Sequence, residues 1–261
     1  MSSPTDSTIR PTKPSHYGLL DTVRGICLIS MVAYHGMYDL VDIFRLPSAW
    51  YNDWPGYIWQ QSICWTFILL SGMCWQLSRH HIKRGLLLVG FATAITAITW
   101  LVMPSQRILY GVLNLLGLSA LLMIPLDKLF QKIPAWAGLA GAFFLFLITR
   151  NIPRGSLGFE GLAFLPLPDV LYQSDIPAVL GFHSPSFYST DYFPLIPWFF
   201  LFCSGYFLWG ILKKSEQAKE LLMPGLRPLS FLGRHSLVIY LAHQPVLMGI
   251  FLLLGQLTAL N

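Results

Sequence analysis

The sequence has 261 residues, of which 54% are hydrophobic and only 11% are charged, and its mean hydropathy is +0.57. A soluble domain carries about 25% charged residues, so this composition excludes a water-soluble globular protein and indicates an integral membrane protein. The net charge of +5 does not reflect nucleic-acid binding, because the basic residues lie at the ends of apolar runs and not in patches.

Apolar runs along the chain predict the membrane spans. A helix needs about 20 apolar residues to cross ~30 Å of hydrocarbon, where backbone polar groups must be paired. A shorter first run, at about residues 23–41, would carry Arg24 or Asp39 into or near the membrane. Six longer runs follow it, at residues 57–77, 85–103, 108–126, 133–149, 192–212 and 229–254. The sequence therefore predicts an all-α polytopic membrane protein with about seven transmembrane helices in a single domain, 1–261.

The basic residues predict the orientation of these helices. Of the 17 Lys and Arg residues, all but four (Arg45, Arg107, Arg150 and Arg154) fall on one side of the predicted spans. Because basic residues favour the cytoplasmic side, the tail of residues 1–18 is expected inside and the carboxy terminus outside. The longest connection, residues 150–191, then lies outside. It either shapes an external substrate site or is a surface loop or short re-entrant hairpin.

Three polar side chains fall at nearly the same predicted depth in the membrane. Measured from the centres of their helices, His35, Asn114 and His243 each lie about 3 to 4.5 Å toward the outer side, at 1.5 Å per residue. A polar side chain at this depth costs several kcal/mol, so each one is a functional candidate. Their shared level predicts one internal cavity lined by all three.

Asp39 follows His35 by four residues, which places both on one face of the first helix. A carboxylate that holds a histidine fixes its tautomer and raises its basicity, as general-base catalysis requires. The alternative is structural: Asp39 would be an interfacial helix-end residue, and His35 a hydrogen-bonded packing residue.

Arg24 lies 11 residues before His35, near the cytoplasmic boundary. There it either binds a phosphorylated ligand or extends its charge to lipid headgroups. The sequence contains no HExxH motif and no Cys/His cluster, so no metal cofactor is expected. A haem held between His35 and His243 is an alternative use of the two histidines.

Four blocks carry a resemblance to a known family. They are LDTVRGICLISMVAYHGMYDL (20–40), RILYGVLNLLGLSALL (107–122), DYFPLIPWFFLFCSGYFLWG (191–210) and LGRHSLVIYLAHQPV (232–246). Together they resemble the bacterial relatives of heparan-alpha-glucosaminide N-acetyltransferase, within the wider membrane acyltransferase superfamily. In that superfamily a basic residue, ten intervening positions and a histidine form a recurring signature, and Arg24 and His35 have this spacing.

The resemblance implies an enzyme that takes an acetyl group from cytoplasmic acetyl-CoA and transfers it to a hydroxyl or amine of an external sugar or glycan. It implies that His35 is the base or a transient acyl carrier and that Arg24 helps to hold the donor. Asn114 and His243 are expected to contact substrate. Relatives often carry a histidine where this chain has Asn114, which can stabilise an oxyanion but cannot shuttle a proton.

The expected partners are acyl-CoA, the sugar or glycan acceptor and membrane lipids, and the expected location is a bacterial plasma (inner) membrane. The chain is shorter than many superfamily members, so a second copy could complete the site. Two other classes stay open at this point. One is a proton-coupled transporter that uses the midplane His and Asp side chains, and the other is a structural membrane protein.

Overall fold

The computed structural model describes residues 17–259, with side chains as far as residue 254. This part of the chain is mainly helical. Its α-helices are α1 (Gly18–Tyr38), α2 (Trp54–Trp75), α3 (His81–Val102), α4 (Val112–Phe130), α5 (Ala135–Ile148), α6 (Leu195–Leu212), α7 (Glu216–Leu222), α8 (Arg227–Arg234) and α9 (Ser236–Ala259). Two short strands, β1 (Ser156–Phe159) and β2 (Leu162–Pro166), lie between α5 and α6.

The described residues contain six helical segments that are long and apolar enough to cross a membrane. They are Gly18–Ile43, His81–Val102, Val112–Phe130, Ala135–Arg154, Leu195–Leu212 and Ser236–Leu254. Helix α2 has 22 residues, but it is not among these six segments. All seven predicted runs are therefore helical, and α2 as a seventh span stays a prediction. Most of the predicted tail, residues 1–16, lies outside the described residues.

The first and last predicted spans differ from the observed helices. Helix α1 begins earlier than predicted, at Gly18, and tolerates Asp21 and Arg24 because they neutralise each other as an ion pair. At its other end it continues as a π-helical turn, Asp39–Ile43. The run at 229–254 is not one helix, as predicted, but two. Residue His235 separates α8 from α9, and its backbone N–H bonds back to the carbonyls of Phe231 and Leu232.

The connection at 150–191 contains a β-hairpin, which departs from the all-α prediction. Strand β1 pairs antiparallel with β2, from Ser156 opposite Pro166 to Phe159 opposite Leu162, with a bulge after Leu157. Short 3₁₀ turns precede and follow the hairpin at Ile152–Arg154, Asp169–Tyr172 and Ile176–Leu180. Local backbone pairing and turn geometry decide such a short hairpin, and the apolar periodicity of the sequence carried no signal for it.

The chain divides into two compact units. Among the described residues, the first combines residues 17–47 with residues 216–259, and the second runs from Ser48 to Ser215. In the second unit α6 is the central helix and packs against α2 and α5. Its crossing with α2 is close, because a Cβ on Gly72 would lie 2.0 Å from the Phe202 carbonyl oxygen. Small residues therefore set this helix contact, as is common between membrane helices.

The first unit is held together by a seam of small and polar residues between α1 and α8. Thr22 and Ser230 join their hydroxyls at 2.8 Å, and Ser230 also donates to the Gly18 carbonyl at 3.1 Å. Gly25 and Gly233 bring the two backbones into contact. Because every hydroxyl in the seam has a partner, the close contact does not leave buried polar groups unsatisfied.

Candidate active site

The candidate active site lies in the first unit, where the end of α1 meets α9. The rings of His35 and His243 lie 4.7 Å apart between centroids, at an interplanar angle of 60°. Both side chains are half-buried in the protein. The structure thus brings together two of the three polar side chains that were predicted at one depth, from helices at opposite ends of the chain.

A backbone hydrogen bond defines the chemistry of His243. Its Nδ1 lies in hydrogen-bond contact with the carbonyl oxygen of Tyr240, one turn earlier in α9. A carbonyl oxygen only accepts, so Nδ1 carries the proton and Nε2 of the neutral ring is the basic nitrogen. This Nε2 is buried and has no hydrogen-bond partner within the described residues. His243 can therefore accept a proton or a hydrogen bond at a defined atom.

Asp39 has a different partner from the one predicted. Its side chain is fully buried at the start of the π-helical turn, and Oδ1 accepts a 2.6 Å hydrogen bond from Nε2 of Gln244. No hydrogen bond joins Asp39 to His35 within the described residues, so the predicted carboxylate–imidazole pair is wrong. The reason is tertiary: α9 supplies a donor that competes with the neighbour on the same helix.

Gln244 is the site residue that the sequence analysis missed. Its only sequence signal is a polar pair, His243 and Gln244, directly before Pro245 in an otherwise apolar run. The structure shows three buried acceptor atoms here without a donor in the described residues: Oδ2 of Asp39, Oε1 of Gln244 and Nε2 of His243. Leaving a buried acceptor unpaired costs about 1–3 kcal/mol each, so these atoms favour a ligand that carries N–H or O–H groups.

Arg24 lies on α1 toward its amino-terminal end. Its Nη1 forms a 2.7 Å ion pair with Oδ1 of Asp21 and approaches the carbonyl oxygen of Gly233 on α8 at 3.5 Å. The side chains of both charged residues are mostly buried. Arg24 is thus oriented by the α1–α8 seam, a contact that the sequence analysis did not predict.

Asn114 belongs to the second unit. It is half-buried in the first turn of α4, whose amino-terminal end is capped by Asp191, since Oδ2 of Asp191 accepts from the backbone N–H of Val112 at 3.2 Å. The cavity shared by His35 and Asn114 stays a prediction.

A buried ion pair in the second unit joins the hairpin to the helices. Nε of Arg150 lies 3.0 Å from Oε1 of Glu160, and Nη2 of Arg150 donates to Oε1 of Gln61 at 2.9 Å. The guanidinium carbon of Arg150 also lies over the Trp198 ring, 4.5 Å from its centroid. Burial by itself would raise the pKa of Glu160, but its contacts with Tyr57 and with the two arginines, Arg150 and Arg154, outweigh burial and hold it below its ordinary value. This network anchors the hairpin.

The described residues contain no group of three or more His, Cys, Asp or Glu side chains that could hold a metal ion. The rings of His35 and His243 are in direct contact at 4.7 Å between centroids, so a haem ligated by both would have to separate them.

Comparison with known proteins decides the family. Residues 16–245 match the family described as heparan-alpha-glucosaminide N-acetyltransferase, catalytic. The chain belongs to this family. Membership supports a transmembrane acyltransferase, in agreement with the resemblance of the four sequence blocks and with the apolar helices. No curated protein and no solved structure matches the chain.

Proposed function

We propose that this protein transfers an acetyl group from cytoplasmic acetyl-CoA to a hydroxyl or amine of a sugar or glycan on the external side of the membrane. The observation that carries the proposal is the contact between His35 and His243, at 4.7 Å, next to the buried Asp39–Gln244 pair. Family membership supplies the reaction class, and this cluster supplies groups that can move a proton and bind a donor-bearing acceptor.

His35 acts on the acceptor proton. As the acceptor oxygen or nitrogen attacks the thioester carbonyl carbon, an imidazole nitrogen of His35 takes the proton that the acceptor loses. The carbon–sulfur bond then breaks, and the same proton passes to the departing thiolate. The products are the acetylated acceptor and CoA with a free thiol, so the histidine returns to its starting state.

A covalent route uses the same residues in two steps. An imidazole nitrogen of His35 attacks the thioester carbon, the CoA thiolate leaves and takes the ring proton, and the acetyl group stays on the histidine. The acceptor then attacks this acetyl group, and Nε2 of His243, which the Tyr240 contact leaves unprotonated, receives the acceptor proton. As the carbon–nitrogen bond to His35 breaks, His243 passes this proton to the departing imidazole, so both histidines return to their neutral forms. CoA release without an acceptor distinguishes this route, because it yields one equivalent of CoA per enzyme.

Asp39, Gln244 and His243 bind the acceptor. Their three buried acceptor atoms pair with hydroxyl or amine hydrogens of the incoming sugar, which removes the penalty of leaving them unpaired. Arg24 helps to hold the donor through its guanidinium, with Asp21 fixing its orientation. Asn114 supplies an amide donor for the developing oxyanion.

The proposed setting is a bacterial plasma membrane, with the amino terminus in the cytoplasm where acetyl-CoA is available, and the protein acts as a homo-oligomer. The excess of basic residues on one side of the spans supports this orientation. Cysteine labelling from each side of inverted and right-side-out vesicles tests it, with Ser186→Cys expected to react from outside.

Acetyl transfer from radiolabelled acetyl-CoA tests the function directly. Purified protein in nanodiscs is assayed as wild type, His35→Ala, Arg24→Ala and His235→Ala. The last variant is the matched control, because His235 is an exposed histidine of the same unit at the α8–α9 junction.

We expect His35→Ala to lose at least 100-fold in acetyl transfer or CoA release, Arg24→Ala to raise the KM for acetyl-CoA about tenfold, and His235→Ala to match wild type. Folded wild type that neither binds nor turns over acetyl-CoA contradicts the acetyl-donor proposal. Equal activity in His35→Ala and His235→Ala contradicts the role of His35.

A further inference from the structure

The second unit contains a cleft that none of the roles above uses. It has a volume of about 330 Å³ and lies where the end of α2 and the start of α3 approach the last turns of α4. Its lining residues are Trp75, Gln76, His81, Ile124, Asp127 and Gln131. This volume is at the lower end of the ~300–1,000 Å³ range of small-molecule sites, which suits one compact ligand group.

An aromatic pair forms one wall of the cleft. The His81 ring stacks on the Trp75 ring with 4.0 Å between centroids and an interplanar angle of 20°. Trp75 is held in turn by a 3.0 Å hydrogen bond from its Nε1 to the carbonyl oxygen of Ala120. Nδ1 of His81 is buried and has no hydrogen-bond partner within the described residues. The wall is thus a rigid aromatic surface with one unused polar atom.

A fixed carboxylate lies in the same cleft. Oδ1 of Asp127 accepts from the Tyr206 hydroxyl at 2.5 Å, and Oδ2 accepts from Nε2 of Gln131 at 2.7 Å. Each carboxylate oxygen can accept two hydrogen bonds, so each retains one acceptor position. Asp127 is therefore oriented before any ligand arrives and is able to bind an N–H donor.

Two basic residues adjoin the lining of the cleft and form its basic rim, Lys213 and Arg84. Nζ of Lys213 donates to Oε1 of the lining residue Gln76 at 2.6 Å. Exposed Arg84 lies one turn after His81 and so shares its face of α3. The cleft thus combines an aromatic wall, a single carboxylate and a positively charged rim.

We propose that this cleft binds a phosphorylated purine nucleotide. The base lies against the His81 ring, its exocyclic amino group donates to Asp127, and the phosphates lie at the basic rim of Lys213 and Arg84. A neutral sugar would make no use of the basic rim, and a simple phosphate would make no use of the aromatic wall or the carboxylate. All three features together fit a ligand with a planar base, an amino group and an anionic tail.

The nucleotide could come from two sources of the same chemistry, the nucleotide part of the acyl-CoA donor or a separate nucleotide that regulates the protein. The acyl-CoA donor as the source rests on the acyltransferase function proposed above, whereas nucleotide binding in the cleft does not depend on that function. Adenosine 3′,5′-bisphosphate, CoA, ATP and pantetheine are the probes that separate them.

Equilibrium binding to the full-length protein in nanodiscs is measured by calorimetry for wild type, His81→Ala, His81→Phe and His80→Ala. We expect adenosine 3′,5′-bisphosphate to bind, His81→Ala to weaken it about tenfold, and His81→Phe, which keeps a ring against Trp75, to stay within about threefold of wild type. His80→Ala is the matched control, since it removes the adjacent exposed histidine that does not line the cleft. Asp127→Asn should also weaken binding.

The competition and binding experiments show which nucleotide occupies the cleft, and they can also overturn the proposal. CoA that competes with adenosine 3′,5′-bisphosphate, while pantetheine does not, supports the donor as the source, and ATP binding without CoA binding supports a separate nucleotide. Nucleotide binding that persists in a protein without acetyl transfer supports the cleft while the acyltransferase proposal fails. The nucleotide proposal is overturned if wild type does not bind adenosine 3′,5′-bisphosphate, or if His80→Ala and His81→Ala weaken its binding equally. It is also overturned if inorganic phosphate competes as well as the nucleotides do.

Discussion

Substitution of Gly25 by alanine tests how closely α1 must pack against α8. A Cβ at this position would lie 2.1 Å from the carbonyl oxygen of Leu229 and 2.8 Å from its carbonyl carbon. These are backbone atoms, so no side-chain rotation relieves the clash. To bring the Cβ to 3.0 Å from the oxygen, the helices must separate by about 0.9 Å.

That displacement disturbs the polar seam next to it. The Thr22–Ser230 bond is 2.8 Å long and the Arg24 contact with Gly233 is already at 3.5 Å, so a shift of this size breaks the second and lengthens the first. Overpacking of this kind costs about 1–3 kcal/mol, and the better helix propensity of alanine returns at most about 1 kcal/mol. The net effect is a loss of stability and of Arg24 orientation.

Thermal unfolding in detergent, followed by tryptophan fluorescence, measures the first effect, and the KM for acetyl-CoA measures the second. We expect Gly25→Ala to lower the Tm by several degrees and raise this KM. Gly249→Ala is the matched control on α9, because a Cβ there has nothing within 4 Å, and its Tm should equal or exceed that of wild type. If Gly25→Ala had the same Tm as Gly249→Ala, close packing of α1 against α8 at Gly25 would be refuted.

Three further predictions follow from the site and the hairpin. Gln244→Leu removes the donor from buried Asp39, so it should lower the Tm and raise the acceptor KM without changing the donor KM; an unchanged acceptor KM would exclude a role in acceptor binding. Asn114→Ala should reduce kcat about 100-fold at unchanged Tm if its amide stabilises the oxyanion, and a normal kcat would argue against that role. Because the pKa of Glu160 is lowered on folding, its ionised form stabilises the protein above the ordinary pKa and this stabilisation is lost as pH falls through the lowered pKa. The Tm difference between wild type and Glu160→Gln should therefore shrink between pH 6 and pH 3, and a constant difference would contradict the ion-pair explanation.

Some residues could be placed in the candidate site from the sequence because depth along a helix depends on chain position alone. A rise of 1.5 Å per residue puts His35 and His243 near one level, and the structure brings their rings together. The partner of Asp39 could not be obtained in this way. Its hydrogen bond comes from Gln244, on a helix about 200 positions later, and only the packing of α1 against α9 selects it over His35.

The sequence by itself determined that the protein is a helical membrane protein, since a chain with so few charged residues must pair its backbone groups within helices in lipid. It also contained the blocks that place the chain in its family. Tertiary structure decided the break at His235, the hairpin after α5, the Asp39–Gln244 hydrogen bond and the cleft beside His81. Those features arise from contacts between distant segments or from local turn geometry, and apolar periodicity carries no information about either.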